Sequence, residues 1–232
     1  MPSTVVHVAL GGIVAVGLLG SYFDRRALVL VLAAAAFPDL DTPLGIWIRG
    51  GHRTLFHTLL LPGALAVLWY VDAARGDRSR LRSRYGERGV RVAGVAVAAL
   101  AFAGVGPDLF TNGVNALWPL HDQFYKLNGE LLLSNQRGVV QTFLDLHLDR
   151  LLGHAGDGAA GGSGGGGAVA GKAAVGSTRQ VHYSTGVDPT AGPDPANVER
   201  VFPLVTDGMQ LLLVLLSAFL VTARLRRSTP RA

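Results

Sequence analysis

Two stretches of the chain carry side chains of the kind that bind divalent cations. The first is Phe37-Pro38-Asp39-Leu40-Asp41-Thr42-Pro43, with two carboxylates two residues apart at the end of an apolar run. The second is Gly51-His52-Arg53-Thr54-Leu55-Phe56-His57-Thr58, with two imidazoles just ahead of the next apolar run. Two further candidates are His7, inside the first apolar run, and Asp108, at the end of the fourth. An ionisable group in or beside an apolar segment is costly unless it has a partner or a task. Carboxylate oxygen and imidazole nitrogen together suit zinc or manganese. The expected ligand set is therefore His7, Asp39, Asp41, His52, His57 and Asp108, around one or two cations. Such a site acidifies water for attack on an ester or phosphoester, with Asp39 or Asp41 as general base. Arg53 offers a planar fork to an anionic substrate such as a phosphate, and serves equally as a lipid-headgroup anchor.

These residues sit in an unusual chain. Of 232 residues 49% are hydrophobic and only 16% charged, against about 25% charged in a soluble domain. Several long apolar runs then indicate an integral membrane protein, with the lipid bilayer as its first partner. Cysteine is absent, so a metal site must use histidine and carboxylate. The basic excess is almost all arginine, Lys126 and Lys172 being the two lysines. The arginines lie beside apolar runs and read as topology determinants, so no specific nucleic-acid partner is expected. The Gly-rich stretch lacks the spacing of a phosphate-binding loop, and no nucleophile-elbow motif occurs.

The elements that must position the site follow from the apolar runs. Residues 4–20 predict a first helix, and 27–37 a second one. Eleven helical residues of that second run cover roughly 16 Å, about half a bilayer core. Pro38 and Pro43 predict an extended segment after it, and 44–48, with Trp47, an interfacial piece. Residues 54–71 predict the third helix. His52 and His57 would differ by about 140° on one continuous helix. They share a site only if His52 precedes the helix and His57 lies in its first turn. A basic loop with seven arginines from Arg75 to Arg91 follows, then a fourth helix over 90–106 and a fifth over 208–223. Periodicity suggests a helix over 139–152. Gly153 to Gly176 is a low-complexity run read as a flexible tether. His121, His147, His154 and His182 are expected on the solvent side, His121 as a supplementary group.

The predicted class is all-α: a multi-pass protein of about five transmembrane helices with an external loop region. Its divisions are a membrane-embedded core at 1–120, an external segment at 121–207 with the tether at 153–177, and a last helix with a basic tail at 208–232. Arginine-rich segments stay cytoplasmic, which sets the N-terminus outside and the C-terminus inside. Every candidate ligand then falls at one membrane face. The reading is a membrane-bound hydrolase with an ester, phosphoester or lipid-linked substrate. The competing reading is a non-enzymatic metal-ion carrier or interaction scaffold.

With those residues in view, the chain resembles the YdjM-like family of LexA-binding, inner-membrane-associated proteins to which metal-dependent hydrolysis is ascribed. The resemblance covers roughly residues 4 to 120. It rests on His7 with Gly11, on Pro38-Asp39-Leu40-Asp41, and on His52-Arg53-Thr54-Leu55-Phe56-His57, which looks like the family's His-Arg-x-x-x-His. Asp108-Leu109-Phe110-Thr111, running on to Trp118-Pro119, is similar to the family's Asp-x-x-Thr and Trp-Pro ending. The family often carries a histidine four residues before this aspartate, where the present chain has Gly104. The resemblance implies a metal-dependent hydrolase with one ligand position altered.

Overall fold

A computed structural model describes residues 3–47, 51–127, 131–136, 138–141, 174–190 and 192–228. The chain is mostly helical and divides into two units, Met1–Lys126 with Ala174–Ala232, and Leu127–Ala173. In the second unit, strands β2 (Leu131–Ser134) and β3 (Gly138–Gln141) form an antiparallel hairpin. The helix expected over 139–152 is thus replaced at its start by a strand, and its remainder lies outside the described residues. So do residues 153–173 of the expected tether, together with His147, His154 and Ile48.

The first unit holds the helices. Helix α1 (Thr4–Leu18) is followed by a tight turn through Gly20, whose φ of 57° suits glycine. Asp24 starts α2 (Arg25–Ala36) by accepting the Ala27 N–H on Oδ1 at 2.8 Å, the N-cap contact that satisfies a free helix donor. Beyond Ala36 the chain does not extend as expected. It tightens into a 3₁₀-helix, Phe37–Ile46. Proline fixes a φ close to helical values, so Pro38 and Pro43 redirect the helix without straightening it.

Helix α3 (Leu60–Ala73) begins six residues later than its apolar run suggested. The backbone ahead of it is committed elsewhere. Asn115 N–H donates to the Arg53 carbonyl, and Leu59 N–H and the Thr58 hydroxyl both donate to the Ala116 carbonyl. His57 therefore sits on an irregular segment. The expected basic loop is also partly helical. Helix α4 (Arg80–Ala99) starts on the Ser79 cap and breaks at Gly86, where φ is 66°. It runs on through a wide turn of π-helical hydrogen bonding, Leu100–Val105, into α5 (Gly106–Thr111). Asp108 consequently lies inside a helix that continues past Pro107. Helix α6 (Gly208–Ser228) closes the unit.

Among the described residues two helical stretches are long and apolar enough to cross a bilayer, Arg80–Thr111 and Gly208–Arg227. Helices α1 and α3, with 15 and 14 residues, reach only about 22 Å at 1.5 Å per residue, short of the roughly 30 Å core. The expectation of five full spans is thus met for two helices. The all-α expectation holds in that the chain is mostly helical, with only short strands among the described residues. Strand β1 (Phe124–Tyr125) pairs antiparallel with β4 (Ala174–Gly176), the end of the expected tether.

Small residues bring these helices close. A Cβ on Gly11 would stand 2.7 Å from Ala35 Cβ, and one on Gly12 would stand 2.5 Å from Ser217 Oγ. Adjacent glycines thus let α1 touch both α2 and α6, the mode by which helices associate in lipid. The buried core runs through Ala15, Leu19, Val31, Ala35, Val95 and Ala99. Large apolar side chains cover the outside: Val67, Leu68, Leu215 and Phe219 are exposed, and Phe102 is 77% exposed. Patches of that kind are rare on soluble monomers and suit a hydrocarbon surround.

A candidate metal centre

Four elements deliver their polar side chains to one end of the helical unit. His7 lies one turn into α1. Thr4, three residues earlier and so on the same face, donates its hydroxyl to Asp39 Oδ2. Asp39 comes from the 3₁₀-helix after α2, His57 from the segment before α3, and Asp108 from α5. Ligand atoms of His7, Asp39 and Asp108 all lie within 4.8 Å of one another, a group able to hold a metal ion. His57 Nε2 stands 3.0 Å from Asp108 Oδ2 and 3.6 Å from Asp39 Oδ1. His7 Nε2 stands 3.4 Å from Asp108 Oδ2 and 3.9 Å from Asp39 Oδ1.

The opposite nitrogen of each ring fixes its orientation. His7 Nδ1 donates to the Ala103 carbonyl at 2.7 Å. That carbonyl lies in the π-type turn, a feature that in helices often marks functional sites. His57 Nδ1 donates to Asp41 Oδ2 at 2.9 Å. With Nδ1 the donor in both rings, each neutral imidazole turns a lone pair inward from Nε2. Consistently, His7 Nε2, His57 Nε2 and Asp108 Oδ2 are buried without a hydrogen-bond partner. Orphaned buried polar atoms are rare and costly, and these three face one another, His57 Nε2 and Asp108 Oδ2 at 3.0 Å, so that a proton on Nε2 or a cation among them would satisfy them. Lone pairs facing a carboxylate oxygen repel one another; a divalent cation among them turns each contact attractive. The donor set of His7, Asp39 and Asp108 fits such an ion, and His57 Nε2 stands beside it, 3.0 Å from Asp108 Oδ2.

Asp41 and His52 stand one bond further back. Asp41 is fully buried, its Oδ1 2.9 Å from His52 Nδ1 and its Oδ2 on His57. Burial pushes the Asp41 carboxyl up, but the hydrogen bonds from His52 and His57 outweigh it and hold the group down to about 2. This is the carboxylate–histidine arrangement that orients metal-binding imidazoles. His52 also contacts Thr42 Oγ1 at 3.2 Å.

Arg53 is likewise committed. It is almost fully buried, donates from Nη2 to Asp108 Oδ1 at 2.6 Å, and lies over the Tyr183 ring at 4.9 Å. Its φ of 65° is uncommon for a residue with a Cβ, and such strain gathers at functional sites. The guanidinium holds the second oxygen of Asp108 and leaves Oδ2 directed at the two histidines.

Gly104 has a packing role of its own. A Cβ there would meet Pro38 Cγ at 2.9 Å and the Ala35 carbonyl at 3.0 Å. The position carries the crossing of the helix against the start of the 3₁₀ segment, and no side chain reaches the cluster from it.

Sequence reasoning missed Thr4, the Ala103 carbonyl and Tyr183. The spacing of Thr4 to His7 was a usable signal. Nothing local marks Tyr183, which comes from far along the chain and donates its hydroxyl to the Asn112 carbonyl at 2.6 Å. Asn115, from the same region, donates its side chain to Asp122 Oδ1 at 2.7 Å and accepts from Gln123 N–H.

A family model described as YdjM inner membrane protein matches residues 1–173. Neither a curated protein nor a solved structure matches the chain.

Proposed function

We propose that the chain, which belongs to the YdjM inner membrane protein family, is a membrane-bound hydrolase that works with a divalent cation, zinc or manganese. The observation that carries this reading is the set of three buried, partnerless atoms, His7 Nε2, His57 Nε2 and Asp108 Oδ2, beside Asp39 Oδ1. Those four side chains are the ones that would hold the ion. A cation bound there supplies Lewis acidity, polarising an acyl or phosphoryl oxygen and lowering the pKa of water.

The chain's own residues do the rest. The Ala103 carbonyl and Asp41 keep the protons of His7 and His57 on Nδ1, so that both Nε2 atoms remain free to bind. Arg53 keeps Asp108 ionised and aimed. Asp39, 16% exposed where its partners are nearly closed off, faces the histidines with Oδ1 and accepts the proton of the attacking water at Oδ2, the oxygen on which the Thr4 hydroxyl also donates. His52 and Asp41 have the remaining place among the expected ligands, as the layer that orients His57. The substrate is an ester or phosphoester, lipid-linked or otherwise amphiphilic, because the site lies at the end of short apolar helices.

The orientation is N-terminus outside and C-terminus cytoplasmic, with five membrane-inserted helices of which three stop short. Support comes from the arginines. Arg88 pairs with Asp24, Arg91 donates to the Leu18 carbonyl, and Arg224 donates to the Gly20 carbonyl. All three mark the end opposite the site, since Arg88 and Asp108 are twenty helical residues apart, about 30 Å. The positive-inside rule assigns the arginine end to the cytoplasm.

Metal analysis of the detergent-purified full chain tests the reading. Wild type should carry near-stoichiometric metal, and His57→Ala and Asp39→Ala far less. Equal, near-zero metal in all three would remove the basis for a hydrolase. Reporter fusions at Ser79 and Ser163 should report opposite sides of the membrane.

A further inference from the structure

A cavity of about 260 Å³ adjoins the cluster, and Asp39 and His52 are in its wall. The rest of the wall is largely apolar, with Val5 from α1 and Val187, Phe202 and Leu204 from the segment ahead of α6. Val201, Phe202 and Leu204 are at the same time exposed, by 56%, 65% and 66%. The cavity is therefore edged by exposed apolar side chains, a few residues ahead of the apolar helix α6. Its volume lies just under the roughly 300–1,000 Å³ of pockets that enclose a drug-sized ligand, which leaves room for one chain and not a pair.

We propose that this cavity seats a single alkyl chain of an amphiphilic ester or phosphoester, and that residues 184–204 select it. The inference rests on the hydrolase reading and adds to it the place where the substrate's apolar part is held and the residues that select its length. The selecting wall lies beyond residues 1–173, the part that the family model matches, so it belongs to this chain's own specificity. Gly186 is part of the device. A Cβ there would stand 2.6 Å from three atoms of the Phe202 ring, so the ring lies flat on the glycine backbone and forms its wall only while position 186 has no side chain. The anionic end of the same ligand would face Asp39, one of the side chains proposed to hold the ion, with His52 beside it.

The test uses the zinc-loaded full chain in detergent. Binding of inorganic phosphate, octylphosphonate and hexadecylphosphonate is measured beside hydrolysis of p-nitrophenyl esters of graded chain length. The alkylphosphonates should bind well ahead of inorganic phosphate. Phe202→Ala and Gly186→Val should each move the chain-length ratio of kcat/KM by about tenfold, the scale set by a changed apolar wall. Metal content should stay as in wild type, so that the change is read in the substrate and not in the ion. An unchanged ratio in both variants, with the wild type active, overturns the chain pocket and leaves the hydrolase reading intact. Phosphate binding as well as the alkylphosphonates overturns it too, pointing to a free anion. A fully metal-loaded wild type that binds no probe and cleaves no ester overturns both readings together.

Discussion

Two ion pairs of equal length stand at the two ends of the helical unit. Arg53 and Asp108 meet at 2.6 Å with both side chains 1% exposed, and Arg88 and Asp24 meet at 2.6 Å with side chains 41% and 48% exposed. Distance alone would give them the same weight. The medium separates them, because an exposed pair contributes about 0–1 kcal/mol while losing one partner of a buried pair leaves an unsolvated charge behind. The exposed end can lose a contact to water. The buried end cannot, so each of its groups must be exactly placed by another. That dependence is also what aims four polar side chains at one point.

The widest gap between the ends should appear on removing Asp108. Asp108→Ala strands the Arg53 guanidinium, at a cost of about 3–5 kcal/mol, and removes a ligand. Thermal unfolding in detergent, with and without chelator, should show a large fall in the midpoint, and metal should be lost. A fall no greater than that of an exposed variant would erase the distinction drawn here. Next in size is Asp41→Asn. The cluster keeps its four inward atoms but the hold on His57 loosens, so metal affinity should drop about 10- to 100-fold in a chelator-competition titration, without loss of the fold.

The arginine end should yield smaller effects. Asp24→Ala removes the cap of α2 and should cost about 1 kcal/mol. The Ala27 N–H and then the Arg88 guanidinium hold the Asp24 carboxyl below its usual value. Its contribution is therefore complete above the ordinary carboxylate pKa and fades as the pH falls through the lowered one. A stability profile in acid should lose this increment in wild type and show none in Asp24→Ala. Smallest of all, Arg88→Ala should change stability by less than about 1 kcal/mol, and less again in high salt.

How much of this was readable beforehand differs by residue. The meeting of His7, Asp39, His57 and Asp108 was legible, because alternating apolar runs leave each of them at the same end. The division of labour between Asp39 and Asp41 was not. On a 3₁₀-helix, with three residues per turn, positions two apart point about 120° away from each other, so the pair cannot face one cation. That geometry depends on Pro38 continuing a helix where an extended strand was expected. Arg53 looked free for substrate because its partner, Asp108, lies 55 residues on. The start of α3 was misplaced for a similar reason. The backbone from Arg53 to Leu59 bonds to residues 115 and 116, and no local pattern announces that. Two of the five expected spans have the length to cross a bilayer among the described residues, and the apolar runs at α1 and α3 form shorter helices because turns and backbone bonds at their ends take up the rest of each run.

The irregular turn at Leu100–Val105 sets the phase of everything beyond it. Deleting one residue there would mend the helical ladder, which by backbone accounting alone is a repair. It would also rotate the remainder of the rod by about 100°. Asp108 would swing off the bundle axis, and the carbonyl of residue 103 would turn back into its own helix, away from the ring of residue 7. The flaw in the rod is thus what keeps its far end in register with its neighbours, and a straighter rod would pull the four side chains apart.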